Sequence, residues 1–446
     1  MKKRTKRQKA IIRRRIFVGV LAVVIAVVVG LLTVLFNAIL KDEDQKDESK
    51  SSKKDSSGQS SSTDFAESQG NTPAQPSTDG KSITILSTGD ILIHDNVLWG
   101  AEQSDGSYNF SQFYKVARPY ITNADYAVAN LEVTLGGTAA GPYKGYPNFN
   151  SPDELADYLK ADGFDMLLTA NNHCLDNGLA GMKRTVQQLK AKNIDFLGTK
   201  ETTADPTYIV KNINGIKVGM VNYTYGTNNS ASGAGELINY FSANNLSAFY
   251  SEAQAVIDGM KQNGAEAIVF YMHWGNEYQT RPEAYQKAIA QQLCNMGVDV
   301  IVGGHPHVLQ PIDLIYSEDS QNTTVCLYST GNSISNQRIS EMTGLCETGH
   351  TEDGVLFTCT FTKDTDGSVS LAAVDIIPTW VDRYGNAGNY QYTMYPLETA
   401  EMAESYGLDA ETVQKAKASY ERTRKIMAEG LTECQEYLGC KVRFAD

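Results

Sequence analysis

From Lys81 onward, short apolar β-rich runs alternate with segments of helical periodicity, and that alternation restricts the chain to a layered α/β architecture. Ser82–Ile93, Tyr126–Val133, Asp165–Ala170, Asp195–Gly198, Ala265–His273, Val298–Gly303 and Thr324–Tyr328 read as strands. Helix-like pieces lie between several of them, at Ser151–Ala161, Gly181–Lys192, Asn245–Asn263 and Pro282–Met296. Ser151-Pro152-Asp153-Glu154 has the form of a helix start, with Ser as cap and acid near the positive end of the dipole. Asn214-Gly215, between two apolar runs, predicts a tight hairpin. Gly354–Phe361 and Val369–Ile377, joined across Asp366-Gly367, predict a second. Leu397 to about Leu438 is rich in Ala, Glu and Lys and reads as mostly helical. The expectation is one α/β domain over 81–385 with antiparallel additions, and a mostly helical extension of it over 386–446.

The polar residues of interest stand where those strands end. Five of the six histidines do so: His94, His173, His273, His305 and His307. Asp90 and the Asn130-Leu131-Glu132 triplet hold the same position on their own strands, and Asn172 and Asp176 flank His173. In open α/β sheets the crevice beyond the carboxyl ends of the strands is where ligands bind. The sharpest case is Val298–Pro311, where a buried apolar strand runs into Gly303-Gly304-His305-Pro306-His307. The glycines let the backbone turn, and the proline is expected to push His305 towards an extended conformation. Singly, each residue has a plain structural role open to it: Asp90 as a turn cap, Asn172 in a left-handed position, His273 as a core histidine beside Trp274. Together they favour a shared site. Imidazole nitrogen with Asp, Glu and Asn oxygen suits zinc, manganese or iron, as one ion or as two bridged by a carboxylate. No Walker A loop, dinucleotide fingerprint, nucleophile elbow or His-Glu-x-x-His helix competes.

The N-terminus is of another kind. Residues 1–15 carry nine Lys/Arg and no acid, and Ile16 to Leu40 is almost wholly apolar. At about 1.5 Å per residue such a segment spans a hydrocarbon core of roughly 30 Å. With no small-x-small cleavage site, it predicts an uncleaved signal anchor over 16–40, with the basic tail in the cytoplasm and the remainder extracytoplasmic. The linker over 41–80 is rich in Ser, Asp, Lys and Gln and predicts a disordered tether. The formal net charge is −13, so without the nine basic residues of the tail the rest carries −22. Such an acidic module is a poor partner for nucleic acid. Seven cysteines, odd in number and without a CxxC pair, assign no disulfide, although Cys326 and Cys359 fall on strands expected to be neighbours.

Read together, certain blocks carry a resemblance. They are Thr88-Gly89-Asp90, Asn130-Leu131-Glu132, Asn171-Asn172-His173 with Asp176 and Gly178, and His273-Trp274-Gly275-x-Glu277-Tyr278. Gly304-His305-Pro306-His307 with Gln310-Pro311, and Ser329-Thr330-Gly331-Asn332, complete them. The chain resembles the CapA family of capsule or poly-gamma-glutamate biosynthesis proteins, which is similar in fold to the calcineurin-like metallophosphoesterases. The resemblance covers Lys81 to Asn336. It implies Asp90 and His307 as ligands of a first divalent metal and Asn172, His273 and His305 as ligands of a second. Glu132 stands where a bridging aspartate usually lies, and His173, with Asp176 beside it, is left for catalysis. The sequence departs from the phosphoesterase pattern twice: Leu92 stands where a histidine is expected, and Glu132 is one methylene longer than Asp. His94, four residues from Asp90, would have to curl back to replace the missing histidine.

The resemblance implies a membrane-anchored protein acting in synthesis, export or anchoring of an anionic polymer, with a hydrolase-like metal site. Two other readings stay open. One is a non-catalytic subunit that binds the polymer or its membrane synthase complex. The other is a phosphodiesterase acting on cell-wall phosphodiesters.

Overall fold

The computed structural model describes residues 80–319 and 321–438. The expected tail over 1–15, span over 16–40 and nearly all of the linker over 41–80 lie outside them. Among the described residues no helix is long and apolar enough to cross a membrane.

The first sheet begins with β1 (Lys81–Ile91), followed by α1 (Asp95–Ala101) and α2 (Arg118–Thr122). Then come β2 (Tyr126–Leu131), α3 (Glu154–Ala161), β3 (Met166–Leu168), α4 (Gly178–Ala191) and β4 (Asp195–Leu197). The second sheet takes β5 (Tyr208–Ile213), β6 (Ile216–Thr224), α5 (Leu246–Gln262), β7 (Ala267–His273), α6 (Ala284–Asn295), β8 (Val300–Gly304), β9 (Leu309–Tyr316) and β10 (Thr323–Thr330). The chain then returns to the first sheet with β11 (Asn332–Ile334), β12 (Asp353–Lys363), β13 (Val369–Asn386) and β14 (Asn389–Pro396). It ends in α7 (Met402–Ser405) and α8 (Ala410–Leu438). The strand orders are β14-β13-β12-β1-β2-β3-β4, with β11 beside β1, and β5-β6-β7-β8-β10-β9.

The two sheets face each other across one apolar layer, with helices on both outer faces. Ile83, Ile85, Val128 and Met166 from one sheet meet Val218, Met220, Val269 and Val302 from the other. On the outside of the first sheet, Ala127 and Ala129 pack under Leu155, Leu159 and Leu189 of α3 and α4. On the outside of the second, Val221, Phe270 and Met272 pack under Phe249, Ile257, Ile289 and Leu293 of α5 and α6. Strands covered on both faces have no polar side to show, which is why β2 and β7 read as unbroken apolar runs. The helices have one wet face: α5 buries Phe249, Ala253, Val256, Ile257 and Met260 at helical spacing, and Asn245 caps it by accepting the Ala248 amide. β1 to β4 run parallel, as do β6, β7, β8 and β10.

Several local expectations changed. β9 was hidden by Pro311, but it is the edge of its sheet, where a missing N–H leaves no ladder bond unmade. β13 runs on to Asn386 and pairs with β14, so the segment after residue 385 opens with a strand before its helices. Ser151 is no helix cap: its amide donates to Thr134 O, its hydroxyl is buried without a partner, and α3 starts only at Glu154. Cys326 and Cys359 lie in different sheets, so they are not neighbours, and Cys174, Cys294, Cys326 and Cys346 are free thiols. The Asn214-Gly215 hairpin forms as expected, with φ of 47° and 98°.

One irregularity aims the site. In the β1–β2 ladder Thr88 faces Ala129 while Asp90 faces Asn130, so Gly89 is an extra, bulged residue. The bulge brings Asp90 level with both Asn130 and Asn332. Only glycine fits there, because a Cβ at Gly89 would stand 1.9 Å from the carbonyl oxygen of Gly331. Gly89→Ala is therefore expected to destabilise the protein by about 1–3 kcal/mol or more through overpacking. A urea midpoint equal to that of the wild type would show that the bulge tolerates a side chain.

Candidate metal centre

Asp90, Glu132, Asn172, His273, His305 and His307 all reach one place, the edge where the parallel strands of both sheets end. All six are almost completely buried. Each arrives there by a different local device. Asp90 is aimed by the Gly89 bulge. Glu132 follows β2, with its amide bonded to Ile91 O. His273 is the last residue of β7 and Asn172 sits in the turn after β3. His305 and His307 hang from the turn after β8.

That turn is strained. His305 has φ of +96° and His307 +56°, so Pro306 does not leave His305 in the expected extended form. The reason lies in Asp90, whose Oδ2 accepts the His305 amide at 3.1 Å and turns the backbone inwards.

The donor atoms form overlapping triads. Glu132 with His273 and His305 is one, Asp90 with Glu132 and His307 a second, and Glu277 with His305 and His307 a third; within each, the ligating atoms lie within 4.8 Å of one another. Glu132 Oε1 stands 3.6 Å from His273 Nε2 and 3.8 Å from His307 Nε2. His307 Nδ1 is 3.3 Å from Asp90 Oδ2, and His273 Nε2 is 2.7 Å from Asn172 Oδ1.

The electrostatics suit a cation. Burial, then the neighbouring Asp90, holds the Glu132 carboxyl well above its usual range. Burial, then the other histidines, holds His273 and His305 well below theirs. These imidazoles are neutral, with lone pairs to give. Glu132 Oε1 and His305 Nδ1 are buried without a hydrogen-bond partner. Two orphaned donors of this kind, in a nitrogen and oxygen set without cysteine, fit a divalent transition ion.

His173 and Asp176 form a separate pair whose side chains are both buried. His173 Nδ1 lies 2.7 Å from Asp176 Oδ2, which also accepts the Phe149 amide, and Asn228 Nδ2 lies 3.3 Å from Nε2. A carboxylate only accepts, so Nδ1 carries the proton and Nε2 faces Asn228. Neither residue belongs to a triad. Leu92 is a core residue, 1% exposed, and His94 does not curl back to replace the missing histidine. Its Nδ1 accepts the Asn336 amide and its ring packs edge-on against Phe149.

Four supporting residues were given no role by sequence reasoning. Asn130 donates to Asp90 Oδ1 at 2.7 Å and to Glu132 Oε2 at 3.3 Å. It stands two residues before Glu132, and the two-residue strand period already placed both on one face. Asn332 donates to His307 O, Gln337 Oε1 and Thr351 O, which leaves its Oδ1 to accept from His307 Nδ1 at 3.2 Å. That bond puts the proton on Nδ1 and turns Nε2 towards Glu132, as outer partners of metal-binding histidines do. Tyr225 lies against both His273 and His305. Glu277 joins the third triad. Asn332 and Glu277 stand in blocks that carry the family resemblance, whereas nothing in the sequence around Tyr225 pointed to the site.

Burial and the nearby His307 push His94 down to about 3. The unfolded chain takes up this proton near pH 6.5, whereas the folded chain resists it until about pH 3. The contribution is whole above pH 6.5 and is lost as pH falls below it. Comparing urea unfolding at pH 7 and pH 5, wild type should lose more stability than His94→Gln, by up to about 1.4 kcal/mol per pH unit. Equal losses would mean that this histidine is protonated in the fold.

The curated relatives that match include the capsule biosynthesis protein CapA of Bacillus anthracis, 30% identical over 58% of this chain and 61% of its own length, and the PGA biosynthesis protein CapA of Bacillus subtilis (strain 168), 28% identical over 56% and 62%. The match thus spans about three fifths of each relative. A solved structure of Haemophilus influenzae NAD nucleotidase aligns with 80% of this chain and 68% of its own, at 14% identity and a TM-score of 0.41, a likeness too remote to carry an argument. The profile described as bacterial capsule synthesis protein PGA_cap matches residues 84–337, from β1 through the strained histidine turn to the loop after β11. It takes in every residue of the three triads and more than half of the chain, which therefore belongs to this family of capsule synthesis proteins.

Proposed function

We propose that this protein acts in the synthesis, export or anchoring of an extracellular anionic polymer of the poly-gamma-glutamate class, through a metal-dependent, hydrolase-like centre. The observation that supports it best is that the family's matched span contains the buried Glu132 carboxylate, its Oε1 without a hydrogen-bond partner, shared by two triads able to hold a metal ion. Glu132, His273, His305 and Asn172 would hold one divalent ion, and Asp90, Glu132 and His307 a second. When bound, such ions supply Lewis acidity and an acidified water. The chain's own groups do the rest. Glu132 balances the charge, Asn130 fixes both carboxylates, and Asn332 fixes the tautomer of His307. His173, its Nδ1–H held by Asp176, would in its imidazolium form donate the Nε2 proton to a leaving group. The metallophosphoesterase-like reading rests on this donor set and its order along the chain. The apolar run over 16–40 after nine basic residues supports a single-pass membrane anchor with the α/β domain outside the cytoplasm.

A second reading has its own support. Leu92 fills the core where a histidine would complete the Asp90 side. A centre one ligand short favours a single ion and a polymer-binding or synthase-partner role without turnover.

Metal binding is tested first. At a hundredfold excess over Kd, zinc or manganese should raise stability by about 2.7 kcal/mol. His305→Ala should abolish most of that gain while leaving the metal-free protein folded. Equal thermal stability with metal and with chelator, and no metal by elemental analysis, would remove the centre.

His173→Ala then separates the two readings. The hydrolase reading expects unchanged metal content and turnover lowered roughly 10²–10⁴-fold, as for loss of a general acid. Polymer output in cells should fall with it. Full output with metal retained would leave His173 without a catalytic role.

A further inference from the structure

The third triad has a property the other two lack. Glu277 is exposed, while His305 and His307 are 3% and 2% exposed. The inner donors are all sealed, so a hydrated ion reaching them must shed its water somewhere. The only acidic member of the triads open to solvent is Glu277.

The turn that carries Glu277 is held in place. Tyr278, with φ of +64°, donates its amide to Pro306 O at 2.8 Å, which ties this turn to the turn bearing both histidines. Before it, Gly275 has φ of +89° and its amide is bonded by Tyr285. Asn276 donates to Glu283 Oε1 at 2.8 Å. Glu277 therefore stands on a braced, strained turn over the histidines. Its negative charge also opposes ionisation of the buried Glu132 and of Tyr225 and Tyr278. The orphaned His305 Nδ1 belongs to the same residue that links this triad to the inner one.

A permanent ion here would compete with the inner positions, because His305 and His307 serve both and each neutral imidazole offers one nitrogen lone pair. We infer that Glu277, His305 and His307 form a solvent-side cation position through which a divalent transition ion enters and leaves the buried centre. The inference rests on the metal-centre reading above and adds a route to it. An exposed carboxylate raises the local cation concentration and exchanges ligands for water one at a time. Unoccupied at equilibrium, the position speeds loading and release alike and leaves the final affinity unchanged.

The test uses the full chain, stripped of metal. Zinc is mixed with it in a stopped-flow instrument and uptake is followed by competition with a chromophoric zinc indicator. Glu277→Gln is expected to slow loading roughly tenfold or more, the lower end of the range for local electrostatic steering. Release to a chelator should slow by the same factor, with Kd and the number of bound ions as in wild type. The loading rate of wild type should fall with added salt more steeply than that of the variant. Glu318→Gln, an exposed carboxylate elsewhere, should match wild type. Unchanged loading in Glu277→Gln overturns the inference. So does a weaker Kd or one fewer ion at saturation, since either makes Glu277 a resident ligand. If wild type binds no zinc, the metal-centre reading itself fails.

Discussion

The strand ends are organised around one buried carboxylate. Glu132 is sealed from solvent, and its Oε1 faces two imidazole nitrogens, not a hydrogen-bond donor. A lone ionised carboxylate in such a place costs several kcal/mol, so the site must take up either a proton or a cation. His273 and His305 cannot supply the charge, because burial and mutual repulsion keep them neutral. What they can supply is lone pairs. A bound cation satisfies the carboxylate and the imidazoles at once.

Holding that arrangement requires backbone that is locally unfavourable. The Gly89 bulge, the positive φ of His305 and His307, and the positive φ of Tyr278 all lie within the same edge of the fold. Such conformations cost of order 1–3 kcal/mol each and persist only where the surroundings impose them. Here the surroundings are two well-filled sheets and a set of amides with fixed roles. Asn171 donates to Asn130, Asn130 donates to both carboxylates, and Asn332 holds His307 from the other side. The apolar layers supply stability and the asparagines supply aim.

The centre is lopsided. Around His273 there are Asn172, Glu132 and His305, whereas the Asp90 side offers only Glu132 and His307 besides. Leu92, which could have balanced it, belongs to the apolar layer under α1 and α2. His94 is spent on the Asn336 amide. The imbalance sets this chain apart from a symmetric two-ion site. It also gives weight to the mouth, where Glu277 adds a carboxylate on the side facing solvent.

Much of the site was legible in the order of residues, because the physics involved is local. Alternation of strand and helix determined a layered α/β fold, and parallel strands must end at the same edge, so Asp90, Glu132, Asn172, His273, His305 and His307 could be grouped without coordinates. The two-residue strand period likewise put Asn130 beside Glu132. Tertiary structure alone decided what depends on distant segments meeting. β9 became a strand because its position at a sheet edge excuses Pro311, and Cys326 and Cys359 parted because their strands joined different sheets. His305 took a positive φ against the preference set by Pro306, because a carboxylate 215 residues earlier in the chain claims its amide. Tyr225 joined the centre for the same reason. Side-chain period and turn chemistry act over a few residues, while ligand geometry depends on contacts between strands that the order of residues does not specify.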